Sequence, residues 1–145
     1  MKAYLNRRYM FSASHRLHND RFTEDANREL YGKCNNPYGH GHNYTLEVCV
    51  SGQVDPQTGM VCNLVDLDDC VRRSILERYD HQNLNCMQEF RDRVPTTENL
   101  CVLVFEILQR ELGKTHLQKA KLERVKLDET MMNSFEYAGG AELRH

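Results

Sequence analysis

From Cys34 to Tyr44 the chain reads C-N-N-P-Y-G-H-G-H-N-Y, and this stretch limits the architecture more than any other. His40 and His42 stand two apart at the head of an alternating run in which His42, Tyr44, Leu46, Val48 and Val50 share one parity. Side chains of a strand repeat every two residues, so the run predicts a strand over 42–52 with both imidazoles on its apolar face. Two imidazoles on one face can converge on one ion. Cys34 lies six residues before His40, across a turn containing Pro37 and Gly39 that can fold the thiol back toward that ion. The stretch reads as an active site carried on a sheet.

A catalytic zinc has three protein ligands and one open position, so a third ligand is needed. His15 is the strongest candidate. Residues 4–15 read as a strand in which Tyr9, Phe11, Ala13 and His15 share the more apolar parity, and small residues flank the histidine. Gly39 and Gly41 let backbone approach such a centre closely. Cys34, beside a dication and next to Lys33, is expected to have a lowered pKa, which suits either a base or a fourth ligand. Three histidines already complete an open site, which favours the base. Asp80-His81, directly after a helix, can act as an acid/base unit in which the carboxylate orients the imidazole. Glu129 continues the face of Val125 and Leu127. It can accept two N–H donors of a heterocycle, or simply be a solvated strand end. His18, His116 and His145 have no such company and read as surface residues.

The remaining pattern predicts an α+β domain spanning residues 1–145. A polar insertion at 16–33 holds a short helix from its N-cap Thr23 to Tyr31, stopped by Gly32. Asp55 to Gly59 is a turn by composition, returning as a short strand from Met60 to Asn63. Asp66 can cap a helix to about Arg78, and Thr96 or Thr97 a second one ending near Gly113. Strands over 119–129 and from Phe135 to Tyr137 follow, then a frayed tail from Ala138 to His145. Two helices on one face of an antiparallel sheet leave the other face to be buried, and self-association is a natural way to do it.

At 145 residues and net charge −2, the chain offers no bulk electrostatic case for nucleic acid or an anionic membrane. No apolar run approaches a membrane span, and Arg7 and Arg8 lead into no signal-peptide core, so the expected location is the cytoplasm. The six cysteines are scattered without a C-x-x-C pair and read as small hydrophobes or inert thiols, Cys34 excepted.

Six motifs, in order and across nearly the whole chain, carry a family resemblance: F-S-A-S-H-R-L-H (11–18), G-K-C-N-N-P-Y-G-H-G-H-N-Y (32–44), D-P-Q-T-G-M-V (55–61), D-H-Q-N-L (80–84), P-T-T-E-N-L (95–100) and D-E-T (128–130). The chain resembles the 6-pyruvoyl tetrahydropterin synthase family. The resemblance implies a tunnelling fold, in which trimers close a barrel and two trimers stack into a hexamer. It implies zinc held by His15, His40 and His42, with Cys34 as proton-abstracting thiolate. It also implies an Asp80–His81 proton relay supplied by a neighbouring subunit, and Glu129 helped by Thr97 as the anchor of the pterin ring.

The implied reaction is loss of triphosphate from 7,8-dihydroneopterin triphosphate to give 6-pyruvoyl-tetrahydropterin, as in tetrahydrobiopterin biosynthesis, without nicotinamide or flavin. The 6-carboxytetrahydropterin synthases of the queuosine pathway share fold, zinc and relay, but usually have a shorter cysteine loop without N-N-P. The spacing of Cys34 here favours the pyruvoyl branch. Tyr79 stands where many members have leucine, and the A-G-G-A-E-L-R-H ending departs from the family's usual finish. Two further readings stay open: a dihydroneopterin aldolase-like enzyme, and a non-catalytic zinc domain closed by Cys34.

Overall fold

Strands β1 (Lys2–His15) and β2 (His40–Gln53) pair antiparallel along their whole lengths, from Lys2 opposite Gln53 to His15 opposite His40. This ladder positions everything that follows. The computed structural model describes residues 1–117 and 119–140. β2 also pairs with β4 (Lys121–Asp128), and β4 with β5 (Ser134–Tyr137), both antiparallel. β3 (Gln82–Asn83) runs parallel to β1 along its outer edge, giving the order β3-β1-β2-β4-β5. The sheet is therefore antiparallel across four strands and mixed at one edge, a two-residue addition too short to show in a periodicity.

One face of the sheet is covered by helices, as expected. α2 (Leu64–Val71) runs through a π-helical segment (Arg72–Leu76) into α3 (Glu77–Tyr79), and α4 (Thr97–Leu112) lies in the same layer. Leu67, Ile75, Tyr79, Leu100, Val104 and Leu108 are fully buried against Tyr44, Leu46, Val48, Val125 and Leu127 of the sheet. The short α1 (Glu24–Tyr31) stands apart in the insertion, capped by Thr23 and stopped at Gly32 as its sequence predicts.

Several boundaries differ from expectation. Met60 to Asn63 forms no strand, because both edges of β2 are already taken by β1 and β4. Asp55 instead closes its turn locally, accepting N–H bonds from Gln57 at 2.7 Å and Thr58 at 3.1 Å. Asn63, not Asp66, caps α2, accepting from the Val65 N–H at 2.8 Å. Thr96 caps α4, which places Thr97 inside the first turn. β4 begins at Lys121, and a bulge opposite Cys49 and Val50 switches its parity, so both Leu122 and Val125 face the helices. The tail begins packed rather than frayed: Gly139 has φ +65° and lies so close over Phe105 that a Cβ would sit 2.5 Å from the ring. Residues 141–145, including His145, lie outside the described residues.

The uncovered face is not apolar. Glu47 of β2 lies between Arg8 of β1 at 3.0 Å and Arg124 of β4 at 2.6 Å, and Ser51 donates to Glu123 at 2.6 Å. Hydrophobic surface therefore does not by itself demand a cover there. Among the described residues, no helix is long and apolar enough to cross a membrane.

Candidate active site

Opposed residues in a ladder project to the same side, so the β1–β2 register sets His15 beside His40 and leaves His42 opposite the small Ala13. The three rings meet edge to face, with centroids 4.6–5.0 Å apart. Glu129, just past β4, completes a group whose ligand atoms all lie within 4.8 Å of one another. Its Oε1 is 3.1 Å from His42 Nε2, and its Oε2 accepts the Thr97 hydroxyl at 2.6 Å. The carboxylate thus sits against the N-terminal turn of α4, where helix N–H groups favour negative charge. At 3.0 Å, Gly39 is the other close approach: with φ +73°, its missing Cβ leaves room for the His15 carbonyl.

The donor chemistry fits a metal ion. The Pro95 carbonyl lies 2.7 Å from His15 Nδ1, so Nδ1 carries the proton and Nε2 keeps its lone pair for the cluster. His15 Nε2 and His40 Nε2 face each other at 3.0 Å, close to the ~3.4 Å edge of a tetrahedron drawn around a zinc ion. His42 Nε2 is buried and, despite its nearness to Glu129, makes no hydrogen bond of acceptable geometry. Burial, reinforced by the neighbouring imidazoles, lowers the His15 pKa. Burial also lowers that of His42 in spite of Glu129, and both shifts favour the neutral ligating ring. These residues can hold a metal ion.

Cys34 lies half-buried in the 3-10 turn Gly32–Asn35, tethered by the Leu17 N–H, which donates to its carbonyl at 2.8 Å. Its sulfur is outside the four-residue group; the fourth member is Glu129. The expected lowering by Lys33 is absent. Burial, and then the Glu129 charge, push this thiol up, and Lys33 lines a cleft beside the turn.

Asp80 and His81 are pinned at the outer edge of β1. Asp80 Oδ1 accepts the Ser12 N–H at 2.8 Å, and the His81 N–H donates to Ser12 O at 2.6 Å with φ +61°. Their side chains pair at 3.1 Å, and the His81 side chain is 82% exposed. Among the described residues, no hydrogen bond, ion pair or ring contact joins this pair to the histidine cluster. The Pro95 carbonyl and the role of Glu129 within the cluster were not visible in any spacing. A carbonyl carries no sequence signal, and Glu129 is brought there by β2–β4 pairing.

A helix-backed sheet with three histidines and a carboxylate gathered at one end of its covered face defines an α+β domain with a sheet-borne metal-type site. Over residues 4–140 the chain matches the family model described as 6-pyruvoyl tetrahydropterin synthase. It is 51% identical over 110 residues to 6-pyruvoyl tetrahydrobiopterin synthase of Poecilia reticulata, spanning 75% of each chain. To the Homo sapiens protein of that name it is 46% identical over 122 residues, 83% of this chain and 84% of the other. A solved structure of Caenorhabditis elegans 6-pyruvoyl tetrahydropterin synthase matches with TM-score 0.89 at 37% identity, covering 97% of both chains. The chain belongs to the 6-pyruvoyl tetrahydropterin synthase family, has its tunnelling fold, and is an enzyme of the lyase class.

Proposed function

We propose that the chain converts 7,8-dihydroneopterin triphosphate to 6-pyruvoyl-tetrahydropterin and triphosphate, with zinc as its metal. The observation that carries this reading is the convergence of His15, His40, His42 and Glu129 within 4.8 Å, with Thr97 bonded to the carboxylate. His15, His40 and His42 would hold the zinc, which supplies Lewis acidity to the side-chain hydroxyls and so eases loss of the adjacent C–H protons. Cys34 is the base that takes such a proton. Glu129, oriented by Thr97, accepts N–H donors from the guanidine-like edge of the pterin and fixes the ring. Asp80 holds His81, which moves the remaining protons.

The exposure of His81 and the lack, among the described residues, of any bond from it to the cluster support a relay that serves a neighbouring copy, so the working form is a homo-oligomer, a hexamer built as a dimer of trimers. Exposed Met131 and Met132, two and three residues beyond Glu129, are suited to such a contact. The cytoplasm is the proposed location.

Incubation of the zinc-loaded protein with 7,8-dihydroneopterin triphosphate, followed by mass identification of the pterin, tests the reading. A 6-pyruvoyl product with free triphosphate is expected. A 6-carboxy product would move the chain to the queuosine branch, and a hydroxymethyl pterin would make it an aldolase.

A further inference from the structure

The Cys34 turn has a second side. Behind it lies a cleft of ≈ 340 Å³ whose lining includes Arg16, Arg28, Lys33, Asn35, Asn36 and Glu24. Three cations face one carboxylate among these six. Arg28 is paired with Asp25, whereas among the described residues neither Arg16 nor Lys33 forms an ion pair. Arg16 is nonetheless fixed in place. Its Nε donates to Asn35 O at 3.0 Å, its main-chain N–H donates to Asn85 Oδ1 at 2.7 Å, and its carbonyl accepts from Asn85 Nδ2 at 2.9 Å. Among the described residues, its two terminal nitrogens have no protein acceptor. A guanidinium anchored at Nε with its fork unused is pre-organised for phosphate oxygens.

The cleft adjoins the metal cluster through the chain itself. Arg16 follows His15, and Lys33 precedes Cys34, so the backbone of each cationic residue is one Cα–Cα step, about 3.8 Å, from that of a residue of the proposed site, and the long side chains carry their charges into the cleft. We propose that Arg16 and Lys33, with Arg28 at the rim, bind the triphosphate of the substrate. This rests on the dihydroneopterin triphosphate reading. In that compound the hydroxyls lie on C1′ and C2′ and the triphosphate on C3′, one carbon further along. In the elimination a proton leaves C2′ for a base and its electron pair becomes the C2′–C3′ double bond. The C3′–O bond breaks, and its pair departs on the triphosphate oxygen. Cations fixed at that oxygen stabilise charge where it develops.

Inorganic tripolyphosphate titrated into the zinc-loaded full chain, with zinc content measured afterwards, reads this site without turnover. Binding is expected to weaken at least tenfold in Lys33→Gln and in Arg16→Gln, to weaken with added salt, and to strengthen in Glu24→Gln. Lys33 is exposed, so Lys33→Gln tests the idea even where Arg16→Gln disturbs the Asn35 and Asn85 contacts. With the full substrate, Lys33→Gln should lower kcat/KM at least tenfold, with kcat falling as well as KM rising. Equal tripolyphosphate affinity in wild type and Lys33→Gln, or binding traced only to stripped zinc, overturns the cleft. Tripolyphosphate binding that depends on Lys33 in a protein that does not turn over the pterin keeps the anion site and refutes the pterin reading instead.

Discussion

His15 shows how much one side chain depends on its surroundings. It is 1% exposed, its Nδ1 proton is committed to Pro95 O, and its Nε2 meets His40 at 3.0 Å. Burial holds it neutral, the form that binds metal. Cys34 has a different standing: its sulfur lies outside the ligand group, beside the Glu129 charge. Cys34→Ala is therefore expected to keep its metal stoichiometry and lose turnover by roughly 10²–10⁴-fold, the usual contribution of a positioned base. Metal analysis and steady-state kinetics on the same preparation decide this, since loss of the ion would make Cys34 a ligand. His40 and His42 were legible as a pair because a strand repeats every two residues. His15 was legible as a candidate only, since nothing in residues 4–15 states which residue of β2 it will oppose.

Among the elements, the connection entering β2 has the tightest tolerance. Gly39 adopts φ +73° with the His15 carbonyl oxygen only 3.0 Å from where a Cβ would be, directly before His40. Gly39→Ala should cost about 1–2 kcal/mol from the left-handed backbone alone. The clash should also push β1 and β2 apart at the cluster, lowering zinc occupancy. Urea unfolding together with metal content measures both, and an unchanged zinc content would show that the ladder end can yield without moving the ligands. Helix positions were readable because caps and stripes are local: Thr23 and Thr96 cap the helices their sequences announce. The missed elements were the non-local ones. β3 exists only because α3 delivers the chain to the free edge of β1, and the Met60 to Asn63 strand fails because β2 has no free edge.

Across the fold, the open face is organised by charge, with Glu47 at its centre between Arg8 and Arg124. Burial alone would raise the Glu47 pKa, but the hydrogen bond and charge of Arg124, with Arg8 and Lys126, outweigh it and bring it below the ordinary 4.5. A carboxylate with a depressed folded pKa contributes stability above its unfolded pKa and loses it as pH falls through the folded value. Glu47→Gln should therefore cost roughly 1–2 kcal/mol near pH 7, with the gap to wild type closing below about pH 4.5. Urea midpoints of both proteins from pH 3 to 7 check it, and a gap independent of pH would assign the loss to packing. Composition and periodicity alone determined that the chain is an α+β domain with two imidazoles on one strand face, because alternation and capping are properties of neighbouring residues. Only the tertiary structure decided that His15 and Glu129 join them, that Asp80–His81 stands at the sheet edge with no bond to the cluster among the described residues, and that Lys33 lines the cleft behind the Cys34 turn. Those outcomes depend on strand register and chain crossing, which are set by contacts between residues far apart in the sequence.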